Sequence, residues 1–507
     1  MIYFKNNLLT RLSLILGSLF LVFSVTEGQT QTKAKKIETF LQEVHQKGLF
    51  NGSVLVAQKG KIIYQGVWGY ANFETRKKLH TQAVFNIGSV SKTFTACAIA
   101  LLKERCKLNY DDPLRKYFPK LTYQGVTIRH LLSHTSGLPK YLQFFGKYWP
   151  NKEKIANNKD LIQILEDNPK TLKLGFQPGA RWQYCNTNYV LLAAIIEQVS
   201  GMSYPQFLET QIFKPLQMKN TLVNSLLLNK KVKKRAYGHV FDVRKQKEAL
   251  PKGKQYQEDV YLGGLYGAGG VFSTAYDLHL WDRALTHNKL LSKTTLDELF
   301  TAFTLNNQKK APYGLGWQLA KSKVVGKLIY HNGLWTGSRT RFFRYVDHDI
   351  TVITISNAKL HYAPYIRLAL SRIVFEKQYE VPKISICDKI LSLGLKLSEA
   401  DLQNRFKELL KDKNQFEFSD MEINRAAYML WQSENYDKAF QVMKLNVIAF
   451  PENPMVYQTI GYSYWERNDH HNARKYYKQA LDILEKTPQK NKREIRWVKR
   501  QMKKLSE

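Results

Sequence analysis

Alternating apolar and polar positions predict an antiparallel sheet whose strands come from both ends of the first 380 residues. Residues 53–57 and 61–67 alternate in this way around a Lys59-Gly60 turn, so the two runs predict a β-hairpin. Further strand patterns follow at 328–331, 341–345 and 350–356, with a short polar turn before the last. We expect the early and late strands to join one antiparallel sheet.

The segments between these strands are predominantly helical in pattern. Residues 89–103 carry a single apolar stripe at helical spacing, and Gly88 permits a sharp bend just before it. The stretch 111–259 is mostly helix and loop, including a helix over 190–199 that ends at Ser200-Gly201. The pattern therefore predicts an α+β fold, an antiparallel sheet flanked by helices together with an all-helical subdomain.

The chain becomes all-helical after position 380, and a 34-residue period is visible there. Ala427, Ala439 and Met443 recur as Gly461, Ala473 and Tyr477. This spacing is typical of tetratricopeptide helix pairs. Two units are fewer than the three that a free-standing solenoid needs, so a generic helical extension stays open. We expect a helical linker at 381–420, tetratricopeptide-like repeats at 421–490 and a basic tail at 491–507.

The N-terminus has the pattern of an export signal. Lys5 and Arg11 precede an apolar run from Leu12 to Val25, and small residues follow it, which predicts a signal peptide over 1–28 and a main domain over 29–380. The run is shorter than the roughly 20 apolar residues that a spanning helix needs. Cleavage is therefore favoured over an uncleaved membrane anchor, and we expect an exported, periplasmic or cell-envelope protein.

Length and charge narrow the class of protein. A chain of 507 residues is longer than one hydrophobic core supports, so more than one domain is expected. The net charge is +35, of which +29 lies before Lys383. The sequence has no zinc-finger spacing, RNA-binding aromatic signature or basic arm followed by heptads, so we do not expect nucleic-acid binding. An anionic envelope surface is a better-matched partner for the charge.

The first candidate for chemistry is the pair Ser89 and Lys92. A serine hydroxyl needs a nearby base, and a lysine three residues later on a helix returns to the same face. Desolvation of that lysine would lower its pKa, so that its neutral amine could accept the serine proton. The same Ser-x-x-Lys pattern occurs at Ser356 and Lys359, but there it closes a strand and enters a loop, so we expect a decoy.

Two further segments supply candidate site residues. Tyr184 and Asn186 lie in a polar loop that leads into the apolar helix from position 190, where a phenol could pass a proton and an amide could bind substrate. His331 and Gly333 lie at the end of a predicted strand, which we expect to be an edge strand. Gly333 would allow close approach of a ligand, and the Leu334 amide could act as an oxyanion donor beside that of Ser89.

Taken in order, these segments resemble the serine β-lactamase and penicillin-binding protein superfamily, and most closely its class C β-lactamase-related branch. The resemblance spans about residues 37–377. It is carried by the order and spacing of Phe85-Asn86-Ile87-Gly88-Ser89-Val90-Ser91-Lys92, Tyr184-Cys185-Asn186 and His331-Asn332-Gly333, with support from Leu131-Leu132-Ser133-His134-Thr135-Ser136-Gly137-Leu138 and Gly269-Gly270-Val271-Phe272-Ser273-Thr274-Ala275.

The resemblance implies a sheet of about five strands and an acyl-enzyme formed on Ser89, with Lys92 and Tyr184 sharing proton transfer. Asn186 would bind the substrate amide or position Lys92. His331 replaces the Lys of the β-lactamase Lys-Thr-Gly motif, and a neutral histidine holds a substrate carboxylate less firmly than an ammonium. This favours an esterase or peptidase over antibiotic hydrolysis, acting on an ester, a D-amino-acid amide or peptide, or a β-lactam-like substrate.

No metal and no organic cofactor is expected for this chemistry. The helical repeats could dock a protein partner. Two other functions stay open: a catalytically inactive penicillin-binding-like module that recognises other proteins through its groove and repeats, and an envelope-anchored scaffold organised by the basic surface.

Overall fold

A computed structural model describes residues 31–224, 232–245, 247–251 and 260–505. The chain divides into two compact units, one comprising the residues up to Val240 together with Glu248–Val381, the other comprising Phe241–Lys247 and the chain from Pro382 onward. The sequence did not predict that Phe241–Lys247 belongs to the second unit. Buried Val243 and the adjoining Phe241 pack into that unit's core, which gives the segment its place.

A six-stranded antiparallel sheet forms the centre of the first unit, with the strand order β3-β4-β5-β6-β1-β2. The early and late strands thus join one sheet, as the alternation predicted. The sixth strand, β3, was not predicted, because its sequence lacks a buried face. The strands are β1 Asn51–Gln58, β2 Lys61–Trp68, β3 Gln318–Ser322, β4 Gly326–Trp335, β5 Ser338–Tyr345 and β6 Ile350–Ala358.

Helices surround this sheet and fill the segment between its early and late strands. The longer ones bury apolar faces in one large core shared with the sheet. The helices of the first unit are α1 31–46, α2 Ser91–Glu104, α3 Ile128–Leu132, α4 Tyr141–Tyr148, α5 Asn158–Asp167, α6 Asn186–Ser200, α7 Tyr204–Leu208, α8 Ala275–Thr286, α9 Lys293–Leu299 and α10 Ala363–Val374.

Helix α6 begins four residues before its predicted start and ends where predicted, at Ser200. Gly201 follows in the left-handed conformation, with φ of 71°, which closes the helix without a Cβ clash. Its early start matters for the site, because it makes Asn186 the first residue of a helix rather than a loop residue.

Short strands hold the connecting segments of the first unit. Phe85–Asn86 and Leu222–Val223 both pair with Val271–Ser273, forming a small three-stranded sheet. This sheet fixes the segment that leads into α2. Elsewhere in this unit Tyr70–Asn72 pairs with Lys77–Lys78, and a further short pair, Val240–Asp242 with Lys247–Ala249, flanks the Phe241–Lys247 segment.

In its described residues from Pro382 onward, the second unit is helical apart from one short parallel strand pair, Ile384–Ser385 with Phe416–Glu417. Two helix pairs in it begin at equivalent positions 34 residues apart, as the sequence period predicted, although their tetratricopeptide nature stays a prediction. The expected boundary at 490 does not separate a tail, because one helix runs across it. The helices are α11 Ile386–Gly394, α12 Glu399–Leu409, α13 Asp420–Gln432, α14 Tyr436–Ala449, α15 Pro454–Glu466, α16 His470–Glu485 and α17 Pro488–Lys504.

The predicted signal segment, 1–28, lies outside the described residues. Within the described ranges, no helix combines the length and apolar character required to cross a membrane. Among the described residues no disulfide is formed by the four cysteines, Cys97, Cys106, Cys185 and Cys387.

Candidate active site

Ser89 lies in a single 3-10 turn, Gly88–Val90, that leads directly into α2. Gly88 has a φ of +53°, and a Cβ there would lie 2.7 Å from the Leu334 nitrogen and 2.8 Å from its carbonyl oxygen. Glycine is therefore required on two grounds, the left-handed backbone and the close approach of β4. The turn presents Ser89, which is half-buried, at the junction of α2 and the sheet.

Ser91 anchors this turn, a role that the sequence did not indicate. Its hydroxyl donates a hydrogen bond to the Gly88 carbonyl at 2.6 Å and accepts one from the Val271 amide at 3.1 Å. The Ile87 amide also donates to the Val271 carbonyl. The backbone around Ser89 is thus tied to the small three-stranded sheet on one side and to its own helix on the other.

Lys92 lies beside Ser89 and is fully buried. Its Nζ is 3.0 Å from Ser89 Oγ and 2.7 Å from the Ala268 carbonyl oxygen. It has no acidic partner among the residues that the structure describes. Burial therefore holds the pKa of Lys92 well below its usual range, which favours the neutral amine that can act as a base.

Tyr184 brings a phenol to the same place. Lys92 Nζ lies 4.9 Å from the centre of the Tyr184 ring, and the Ser89 side chain is near enough to the Tyr184 hydroxyl to affect its pKa. Burial raises the pKa of Tyr184, an effect that the nearby Ser89 side chain only partly offsets. The phenol therefore stays protonated at neutral pH and can serve as a proton donor.

Asn186 opens α6 two residues after Tyr184. Its Oδ1 is buried and accepts no hydrogen bond from any described residue. An unpaired buried acceptor costs about 1–3 kcal/mol, a cost that a donor from a bound molecule would remove. The side chain is therefore suited to accept from a substrate N–H.

The structure corrects the expectation that His331 faces a substrate carboxylate. His331 is buried, and both ring nitrogens have partners: Nδ1 pairs with the Asn332 carbonyl at 2.7 Å and Nε2 with the Tyr313 hydroxyl at 2.9 Å. Burial, reinforced by the charge of Lys92, lowers the pKa of His331 to about 3. The neutral imidazole donates from Nδ1 and accepts from Tyr313, so it fixes Tyr313 rather than gripping an anion.

Gly333 also differs from its expected role. A Cβ there would lie 1.9 Å from the Ile87 carbonyl oxygen, so the residue admits the neighbouring backbone and not a ligand. Strand β4 is not an edge strand over 326–330, where it pairs with β3. Residues 331–335 run past the end of β3 and pair with β5 alone among the described strands, so the expected free edge exists there.

The Leu334 backbone lies next to the turn that holds Ser89, as the contact distances at Gly88 show. Its side chain is exposed. The pairing of the Ser89 and Leu334 amides as oxyanion donors stays a prediction that this proximity favours.

An aromatic wall surrounds Lys92, and its members outside the predicted motifs were missed. The His134 ring centre lies 4.2 Å from that of Tyr184 and 4.8 Å from that of Tyr313, and Tyr189 lies 5.5 Å from Lys92 Nζ. His134 Nδ1 accepts from the Cys185 amide, which fixes the residue before Asn186. These rings exclude water from the amine.

The second Ser-x-x-Lys pattern is a decoy, as expected. Ser356 is buried within β6, and Lys359 follows the strand with a φ of 53° and forms an ion pair with Glu248. The two residues therefore do not share a helix face.

A sequence profile described as Beta-lactamase matches residues 34–370, about two thirds of the chain. The chain belongs to the β-lactamase family. It is 40% identical over 357 residues to Penicillin-binding protein 4* of Bacillus subtilis, covering 70% of this chain and 78% of that protein. It is also 30% identical over 279 residues to the Teichoic acid D-alanine hydrolase of Staphylococcus aureus, covering 54% of this chain and 62% of that protein.

Solved structures agree with the family. The octameric penicillin-binding protein homologue from Pyrococcus abyssi matches 68% of this chain and 78% of its own, with 27% identity and a TM-score of 0.58. The D-amino acid amidase from Ochrobactrum anthropi, at 21% identity and a TM-score of 0.53, shares the fold over 69% of this chain and 98% of its own. This β-lactamase family member is thus a serine hydrolase of the superfamily that includes penicillin-binding proteins.

Proposed function

We propose that this protein is an acyl-serine hydrolase that forms an ester on Ser89 and removes D-amino-acid groups from esters or amides. The observation that carries the catalytic part is the 3.0 Å contact between Ser89 Oγ and a fully buried Lys92 amine without an acidic partner in the described residues. A lysine in this state is a base, whereas a solvated surface lysine is not.

Acylation begins when neutral Lys92 takes the Ser89 proton as Oγ attacks the substrate carbonyl. Charge develops on the carbonyl oxygen, where the Ser89 and Leu334 amides are proposed to donate. Tyr184, protonated because burial raises its pKa, passes its proton to the leaving alcohol or amine and recovers one from the Lys92 ammonium, which returns to the neutral amine. The leaving group departs with that proton, and the acyl group stays on Ser89.

Deacylation returns the site to its starting state. Water attacks the ester carbonyl while Lys92 and Tyr184 carry its proton back to Ser89 Oγ. The products are a free acid and the regenerated serine. Asn186 Oδ1 is proposed to accept the substrate N–H during both steps, which would orient the acyl group.

Two observations support a D-amino-acid substrate over a β-lactam. The teichoic acid D-alanine hydrolase is a relative with 30% identity over 279 residues. His331, buried and neutral, offers no cation to hold the carboxylate that a β-lactam carries at this strand. The export signal predicted over 1–28 would deliver the enzyme to envelope substrates of this kind.

The proposal is tested with D-alanine methyl ester and D-alanine p-nitroanilide, each beside its L-enantiomer. We expect Ser89-dependent turnover of the D-compounds, at least ten-fold faster than of the L-compounds. Turnover without stereochemical preference would remove the D-amino-acid assignment and leave an esterase. Absence of turnover with the folded wild type would favour the recognition module instead.

A further inference from the structure

Three arginines gather on the face of the main sheet that lies away from α2. Arg339 and Arg341 alternate along β5 and therefore project from the same face, about 7 Å apart along the strand. Helix α10 covers this face, and the guanidinium of its Arg367 lies 4.4 Å from the ring centre of Phe343, the next residue on that face. We call Arg339, Arg341 and Arg367 the arginine cluster.

The arginine cluster lies outside the catalytic site. Phe342 and Ile353, which point to the opposite face of the sheet, pack into the core together with α2. The Ser89 turn belongs to that side. The cluster and the Ser89 hydroxyl are thus separated by the sheet itself.

No carboxylate balances the arginine cluster among the described residues. Arg339 donates to the Leu360 carbonyl at 3.0 Å and Arg341 to the Asn332 side chain at 2.5 Å, both neutral acceptors. The Nε atoms of Arg341 and Arg367 are buried and have no described hydrogen-bond partner. Burial and the charges of its two arginine neighbours lower the pKa of Arg341 to about 10. Three like charges held this way imply an anion that compensates them.

Two hydroxyl groups complete the arrangement. The strand register places Ser356 directly opposite Arg339 and Thr354 directly opposite Arg341, so all four side chains share one face. Both residues are almost fully buried, and neither hydroxyl has a partner among the described residues. The face therefore combines three cations with two unused hydroxyl donors.

We propose that the arginine cluster, with Thr354 and Ser356, binds a phosphate group. One guanidinium fork already satisfies both oxygens of a carboxylate, whereas three forks and two hydroxyls match the larger number of acceptor oxygens on a phosphate. The phosphate could belong to free phosphate or to a phospholipid headgroup. The site would hold this anion whatever acyl group Ser89 takes.

The test measures the thermal midpoint of the full-length protein with increasing inorganic phosphate, at an ionic strength held constant with chloride. We expect phosphate to raise the midpoint of the wild type and Arg341→Gln to weaken the apparent affinity at least ten-fold. Arg372→Gln, an exposed arginine on the same helix, is the matched control and should bind as the wild type does. Without phosphate, Arg341→Gln should melt no lower than the wild type, because it removes repulsion from the cluster.

The proposal would be overturned if phosphate raised the thermal midpoint no more than chloride does at the same ionic strength. It would also be overturned if Arg341→Gln and Arg372→Gln lost phosphate affinity equally. Vesicles of phosphatidylglycerol distinguish the source. Binding to them that Arg341→Gln abolishes and Arg372→Gln keeps would assign a lipid headgroup. Binding of inorganic phosphate alone would assign the free anion. Ester turnover, measured in parallel, separates failure of this site from failure at Ser89.

Discussion

The chemistry of the site depends on how burial changes the protonation of single residues. Lys92 and His331 are both fully buried, and burial favours the neutral form of both. In the lysine this creates a base; in the histidine it creates a hydrogen-bond acceptor for Tyr313. The same physical effect thus gives two different roles, and the partner of each residue decides which.

Replacing Lys92 with Met separates its catalytic role from its cost to stability. Loss of the base should slow acylation about 10²–10⁴-fold. The unfolded chain holds the lysine proton up to its ordinary pKa of 10.5, whereas the native chain releases it at lower pH. Below the native pKa, Lys92 is charged in both states and its burial destabilises the native state by the full amount. This destabilisation decreases as the pH rises above the native pKa, and it has disappeared once the pH exceeds 10.5.

The measurement for this prediction is the thermal midpoint of Lys92→Met and the wild type between pH 6 and pH 10.5. We expect the variant's midpoint to fall relative to that of the wild type as pH rises. A difference that stays constant with pH would mean that Lys92 is charged in the folded protein.

Gly333→Ala tests the close approach of β4 to the nucleophile turn. A Cβ 1.9 Å from the Ile87 carbonyl oxygen forces the two backbones apart, at a cost of about 1–3 kcal/mol of stability, and displaces Ser89 from Lys92. Chemical denaturation and ester turnover should both be impaired. Gly175→Ala, where the nearest atom to the new Cβ would be 3.8 Å away, should leave both near wild-type values.

The Ser-x-x-Lys pair could be predicted from sequence because it depends on local helix spacing, but the environment of His331 could not. Its position at the strand end indicated a ligand contact, whereas its partner, Tyr313, is 18 residues earlier in the chain and is brought there by tertiary packing. Gly333 was misjudged for the same reason, since sequence does not show which backbone approaches it.

At the scale of elements, the periodicity of apolar residues predicted those helices and strands whose structure depends on neighbouring residues in the sequence. The β1–β2 hairpin and the end of α6 follow from alternation and from a glycine in the left-handed conformation. Strand β3 was missed because its exposed, lysine-containing sequence carries no apolar face and is held by pairing with β4. The early start of α6 was missed because its first turn is polar and serves the site.

The contact between α15 and α16 gives a prediction for the second unit. A Cβ on Gly461 would lie 3.0 Å from the Tyr477 ring, so Gly461→Val should destabilise this unit by about 1–3 kcal/mol. Tyr462→Val, which places the same side chain on the exposed neighbouring position, is the control and should have a much smaller effect. Equal destabilisation by both would show that helix propensity, not packing, is responsible.

At the scale of the whole molecule, each unit has its own hydrophobic core. Leu55, Phe94 and Ile353 belong to the core of the first unit, whereas Ile390, Phe406 and Leu445 belong to that of the second. The sequence predicted the change to helices near position 380, but it did not predict that 241–247 joins the second unit. Two apolar residues, Phe241 and Val243, do not show from sequence alone which distant core they will pack into.

Separate cores predict separate unfolding steps. Differential scanning calorimetry should resolve two transitions, and Gly461→Val should lower only one of them. Covalent occupation of Ser89 by a fluorophosphonate should raise only the other. A single transition that responds to both changes would contradict this division.

The central claim is that Ser89 is the nucleophile and Lys92 its base, and intact-protein mass spectrometry with peptide mapping tests it most directly. After incubation with a fluorophosphonate, we expect one adduct on Ser89, absent in Ser89→Ala and formed at least 100-fold more slowly in Lys92→Ala. Lys359→Ala, in the decoy pattern, should label as the wild type does. An adduct that persists in Ser89→Ala, or folded wild type that the fluorophosphonate does not label, would contradict the account.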